Sequence, residues 1–218
     1  MKTQILSLLC CLFAWLLPVQ AQDSPDIRNF SWKKVADRMP DEWYGSQQAR
    51  ASFDKGIGCI LKTQIRVDGK PTVWCAQHDE HTFAPAPARA YELASFSGAE
   101  SASIVALLMS IPHPSPEIVA AVKGAVAWFE TYAVKDIRVE RVPDGSPKGD
   151  ARVVSAPGNV LWARFYDLET GKPFFCGRDG VKHATLAEIE KERRGGYSWY
   201  TNAPQRVLDR YAKWISGI

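Results

Sequence analysis

The sequence predicts a mainly α-helical fold carrying a short β region. Three observations point there. Apolar residues recur at helical spacing from Ser31 to Ile65, and again at Ile104, Leu107, Leu108 and Ile111. Pro116, at the first helical position after Ser115, opens another helical stretch that runs through Phe129. The period-two runs Ile137–Val142 and Leu161–Tyr166 are short and come after these helices.

Taken in order, the chain starts with Lys2, an apolar run from Ile5 to Val19 and the small-residue pattern Val19-Gln20-Ala21. That run is about fifteen residues, below the roughly twenty that a spanning helix needs, so residues 1–21 are expected to be a cleaved secretory signal. Residues 22–218 then form one domain, secreted or periplasmic, with no membrane partner. The formal net charge of +3 is too small to imply nucleic acid. Cleavage leaves Cys59, Cys75 and Cys176, an odd set that allows at most one bridge, so stability must come from a hydrophobic core.

Trp32, Val35, Trp43, Tyr44, Phe53, Ile57, Ile60 and Leu61 suggest two helices, broken near Pro40 and at Gly56 to Gly58. Asp68-Gly69 is a turn between Thr63–Val67 and Pro71–Cys75, two runs able to pair as a hairpin or to flank a helix end. Pro85 and Pro87 make Gln77–Tyr91 an ordered loop. Ser97–Ile111 and the helix opened by Ser115-Pro116-Glu117 form an antiparallel hairpin. The tail returns to helix over Leu186–Arg194 and Pro204–Ile215, the latter with Val207, Leu208, Tyr211, Ala212 and Ile215 as its buried stripe. No fixed repeat or linker divides the chain.

Arg164 and Arg178 each have acidic neighbours, so each is either a structural ion pair with Asp167, Glu169 or Asp179, or part of an anion clamp for sugar carboxylates. Cys75, His78 and His81, with Asp79 and Glu80 between, have metal-ligand spacing, but no fourth zinc ligand is evident. A packed cysteine and a loop-organising histidine are favoured over zinc or thiol hydrolysis. Trp162, Tyr197, Trp199 and Tyr200 are candidates either for a sugar-binding groove or for core.

Several longer stretches go further. Trp74-Cys75-Ala76-Gln77-His78-Asp79-Glu80, Pro85-Ala86-Pro87-Ala88-Arg89-Ala90-Tyr91-Glu92, Ser97-Gly98-Ala99-Glu100-Ser101, Pro114-Ser115-Pro116-Glu117-Ile118, Leu161–Asp167, Gly177-Arg178-Asp179-Gly180 and Glu188–Tyr200 together resemble the family 10 pectate lyases. The resemblance is nearly continuous from Phe53 onward. It implies an (α/α)3 toroid with a short β region, and calcium-assisted anti β-elimination on polygalacturonate, leaving a 4,5-unsaturated sugar end. By the same resemblance Arg89 is the base, and Arg164 and Arg178 are the substrate-carboxylate clamps. An arginine base implies an alkaline optimum, because its pKa lies above about 12.

The chain departs from the family before Phe53: Ser31–Arg50 resembles the family's extreme N-terminus and runs directly on. The intervening helices, with their Asn-Gly-Gly-Trp-Pro stretch and calcium-binding aspartate motifs, have no counterpart here, so the toroid is expected to be incomplete and no metal ligand is assigned. The alternatives are a non-catalytic pectate-binding protein and an inactive shortened relative.

Overall fold

The structure is a computed structural model describing residues 47–89, 91–143, 145 and 149–218. The expected signal sequence and the region around Trp32, Pro40 and Trp43 lie outside the described residues. The chain divides into two compact units, described over 47–60 and Leu61–Ile218 respectively.

Helix α1 (Gln47–Thr63) runs without a break through Gly56 and Gly58, where the sequence had suggested an interruption. Glycine inside a helix costs about 1 kcal/mol relative to alanine, which weakens a helix without ending it. The larger unit then begins with a tight hairpin, β1 (Arg66–Val67) against β2 (Lys70–Pro71). Its turn residues Asp68 and Gly69 have φ of 51° and 75°, the left-handed pair that a two-residue turn requires. Ile65 and Val73 continue the pairing through an N–H to carbonyl bond of 3.1 Å.

β3 (Phe96–Ser97) leads into α2 (Gly98–Leu108), and α3 (Pro116–Thr131) follows after a short connection. Both helices begin as their sequences direct. The Ser97 and Ser115 hydroxyls cap them by accepting from Glu100 N and Ile118 N, and Pro116 sits in the first turn. Ala121, Val122, Ala125 and Phe129 bury one face of α3. Trp128 stacks on Tyr132 at 4.8 Å and meets Tyr166 edge-on at 4.9 Å.

The β region is larger than the sequence suggested. β4 (Val134–Val142) pairs antiparallel with β5 (Asp150–Ala163), a strand of 14 residues, and β9 (Tyr200–Thr201) joins its far end. Short ladders join β3 to β6 (Phe165–Tyr166) and β7 (Phe175–Cys176) to β8 (Lys182–His183). The expected Leu186–Arg194 helix is instead a 3-10 turn, Leu186–Glu188, followed by a separate α4 (Lys191–Gly196). Ile189 and Glu190 between them are extended, and the Glu190 carboxylate accepts from Arg178 N. α5 (Ala203–Ile215) closes the chain; of its expected stripe Val207 is fully buried and Ala212 is exposed.

These features correct the fold class. Five α-helices lie among the described residues, interleaved with small antiparallel sheets, and these residues show no clear α/α toroid. A mainly α reading undercounted the strands because β5 has Gly158 and Pro157 in its middle, residues that punctuate a sequence pattern while an antiparallel hairpin absorbs them. Buried apolar side chains come from both the helices and the strands. Phe165, Phe174, Phe175, Cys176, Leu186 and Trp199 form one cluster, and Trp162 ties β5 to α3 by donating its indole N–H to Phe129 O at 2.8 Å.

Candidate functional site

The loop ahead of the site is organised by His78. Its Nε2 accepts from Cys75 N at 3.1 Å and its Nδ1 lies 2.9 Å from Phe83 O. Nδ1 must therefore carry the proton, which leaves neither nitrogen free for a metal. Burial lowers its pKa and keeps the ring neutral. Cys75 is buried beside Ala86 O and Ser95 N, while His81 is turned out toward Glu80. Cys75 and His78 are thus packed into the loop while His81 is exposed, and among the described residues no three His, Cys, Asp or Glu side chains are grouped to hold a metal ion.

Arg89 follows on a tight turn in which Ala88 N donates to Glu92 O and Glu92 N donates to Arg89 O, both at 2.9 Å. That turn sets the two side chains face to face. Arg89 Nε donates to Glu92 Oε2 at 2.8 Å, and Nη2 donates to Oε1. This bidentate pair holds the guanidinium well above its ordinary pKa and the carboxyl below its own. Glu92 also accepts from Tyr197 Oη at 2.7 Å.

Arg164 occupies the single residue between β5 and β6. Its N–H donates to Trp199 O at 2.8 Å and its carbonyl accepts from Gly98 N at 3.3 Å, so its backbone is held from both sides. Its guanidinium donates to Glu100, in the first turn of α2, and lies 4.7 Å from the Tyr197 ring centre. Arg178 leaves the turn after β7. It donates to both Glu192 oxygens at 2.8 and 3.1 Å, which raises its pKa, and it lies 4.9 Å from the Tyr91 ring. Neither arginine pairs with the acids that sequence proximity suggested: Asp167 binds Lys182, and Asp179 binds His183 at 2.8 Å.

The structure brings the three sequence-predicted arginines onto two tyrosine rings. Arg89 lies 5.6 Å from the same Tyr91 ring that Arg178 covers. Between the rings sits Arg193, 5% exposed, at 4.2 Å from Tyr91, 4.8 Å from Tyr197 and 5.2 Å from Trp199. Its Nε donates to Cys176 O at 3.4 Å. A buried guanidinium held by three aromatic faces keeps part of its charge stabilisation without a carboxylate. Arg193 was missed in the sequence because Lys191-Glu192-Arg193-Arg194 looks like an ordinary solvated charge run. The three-residue spacing of Arg89 and Glu92 was the available signal for their pairing. Of the candidate aromatics, Trp162 and Trp199 are core, Trp199 with Arg193 against it, and the half-buried Tyr197 carries both Arg164 and Arg193.

Arg89, Arg164 and Arg178, each near an aromatic ring and opposed by one glutamate, present planar guanidiniums of the kind that bind anionic groups. The chain belongs to the pectic acid lyase family, whose profile matches residues 29–208. It is similar to the family 10 polysaccharide lyase from Cellvibrio cellulosa, at 37% identity over 77% of this chain and 52% of that one, with a TM-score of 0.66. The same values hold for an aspartate-to-alanine mutant of that enzyme in complex with trigalaturonic acid, of which 53% is covered. The chain therefore spans about half the length of these structures. Among curated protein sequences none matches.

Proposed function

We propose that this chain is a pectate lyase that cleaves (1,4)-α-D-galacturonan by β-elimination, with Arg89 as base and Arg164 and Arg178 as carboxylate clamps. The observation that carries the reading is the gathering of these arginines on Tyr91 and Tyr197. In the reaction the C6 carboxylate of the bound sugar is neutralised by a guanidinium, which makes the C5 proton acidic enough to leave. In its neutral form, the small deprotonated fraction that alkaline pH supplies, Arg89 takes that proton. The freed electron pair forms the C4–C5 double bond, the C4–O bond breaks, and the leaving oxygen is protonated from solvent. Arg89 then returns its proton to solvent.

Calcium is the cofactor that the family resemblance implies. The described residues do not fit it: Glu92, Glu100 and Glu192 are each occupied by an arginine, and no cluster of acidic donors stands beside them. No step here is routed through the metal. No helix among the described residues is long and apolar enough to cross a membrane. The expected secretory signal at residues 1–21 and a substrate met outside the cytoplasm support a periplasmic or secreted protein.

The second reading is a pectate-binding protein without turnover. It is favoured by the Glu92 carboxylate, which keeps Arg89 protonated. One experiment separates the two. Protein is incubated with polygalacturonate at alkaline pH, with calcium and with chelator, and the ultraviolet absorbance of the unsaturated uronide is followed. Absorbance that Arg89→Ala lowers at least about a hundredfold supports the lyase. Folded protein that binds the polymer and gives no absorbance in either condition overturns it in favour of binding.

A further inference from the structure

Glu92 is the most heavily engaged acid of the site. It is buried, and its carboxylate accepts from Arg89 Nε and Nη2 and from the Tyr197 hydroxyl. Its own backbone closes the turn on which Arg89 stands. The Tyr197 ring that donates to Glu92 also carries Arg164 and Arg193. Glu92 therefore links the proposed base to the proposed clamp through one hydrogen bond and one ring face.

Resting on the lyase reading, we propose that Glu92 is the positioning residue for Arg89: it grips Nε and Nη2, fixes the plane of the guanidinium relative to Tyr197 and Arg164, and leaves Nη1 as the nitrogen that meets the substrate. Among the described residues no hydrogen bond engages Nη1. A side chain with several rotatable bonds and 61% exposure would otherwise sample many orientations, and a misplacement of about 1 Å can cost about a hundredfold in rate. The grip also has an opposing effect, because the same carboxylate stabilises the protonated guanidinium. The residue thus trades basicity for orientation.

Two variants of the full chain test this, Glu92→Gln and Tyr197→Phe, the second removing a single Glu92 contact while keeping the ring. Glu92→Gln is expected to lower kcat at least about tenfold with KM changed less than about threefold, because the clamps remain; Tyr197→Phe gives a smaller loss of the same kind. A merely structural role would raise KM and lower kcat together, and that result overturns the proposal. A second readout does not depend on turnover: phenylglyoxal modification of Arg89, followed by peptide mass, should be several-fold faster in Glu92→Gln than in the wild type. Equal modification rates overturn the grip of Glu92 on Arg89. Wild-type protein that yields no unsaturated uronide, while Glu92→Gln speeds the modification, overturns the lyase reading and leaves the grip standing.

Discussion

Gly98 sits where α2 begins, and a Cβ built on it would lie 2.6 Å from the Ala163 carbonyl oxygen and 3.2 Å from Trp162 Cβ. Both neighbours belong to the last two residues of β5, immediately before Arg164, whose carbonyl accepts from Gly98 N. Gly98→Ala therefore pushes α2 away from the strand end that positions Arg164. Overpacking of this kind costs about 1–3 kcal/mol, and the gain from alanine's better helix propensity, at most about 1 kcal/mol, offsets only part of it. The net expectation is a loss of about 1–2 kcal/mol, or a fall in Tm of roughly 2–8 °C for a domain of this size. Gly58→Ala is the control: among the described residues nothing lies within 4 Å of its Cβ, and it sits mid-helix in α1. That variant should gain about 0.5–1 kcal/mol. Thermal unfolding by circular dichroism measures both, and, on the proposed clamp role of Arg164, polygalacturonate binding by Gly98→Ala reports whether Arg164 has moved. If both variants stabilise equally, the close approach of α2 to β5 is not a constraint and the reasoning fails.

Two further predictions concern the carboxylate and thiol chemistry. Asp167 accepts from Lys182, Thr170 N, Thr170 Oγ1 and Glu169 N, which together hold its pKa far below the usual carboxylate range. A depressed folded-state pKa stabilises the fold above the unfolded value of about 4 and loses that contribution as pH falls through the folded value. Asp167→Asn should thus cost about 1–2 kcal/mol at pH 7, and urea titrations should show the deficit shrinking below about pH 4; a deficit that is constant with pH would contradict the assignment. Of the described thiols Cys59 is exposed, whereas Cys75 and Cys176 are buried and burial pushes the Cys176 thiol up. Ellman's reagent should label Cys59 at once and the other two only on unfolding, an order that rapid labelling of Cys176 would refute.

The elements legible in the sequence were those set by local chemistry. Ser97, Ser115 and Pro116 marked helix starts, and Asp68-Gly69 marked a turn that the structure makes a hairpin, because caps and left-handed turns depend on a few adjacent residues. The long β5 strand was hidden by Pro157 and Gly158, and the extended Ile189-Glu190 pair was hidden inside an apparently helical run. In both places contacts across the fold, strand pairing for β5 and the Arg178 N bond to the Glu190 carboxylate, override local preference.

The site divides along the same line. The sequence by itself singled out Arg89, Arg164 and Arg178 as the positions that match the base and clamps the resemblance implies, and it set Arg89 three residues from Glu92, a spacing that one turn converts into an ion pair. Only the tertiary structure decided which acids face the other two: Glu100 for Arg164 and Glu192 for Arg178, partners 64 and 14 residues away. It also decided that Arg193 lies buried among Tyr91, Tyr197 and Trp199. Ion pairs and ring stacking act over a few ångströms whatever the separation along the chain, so a site assembled from a turn, a strand junction and a short helix exists only once those elements have packed together.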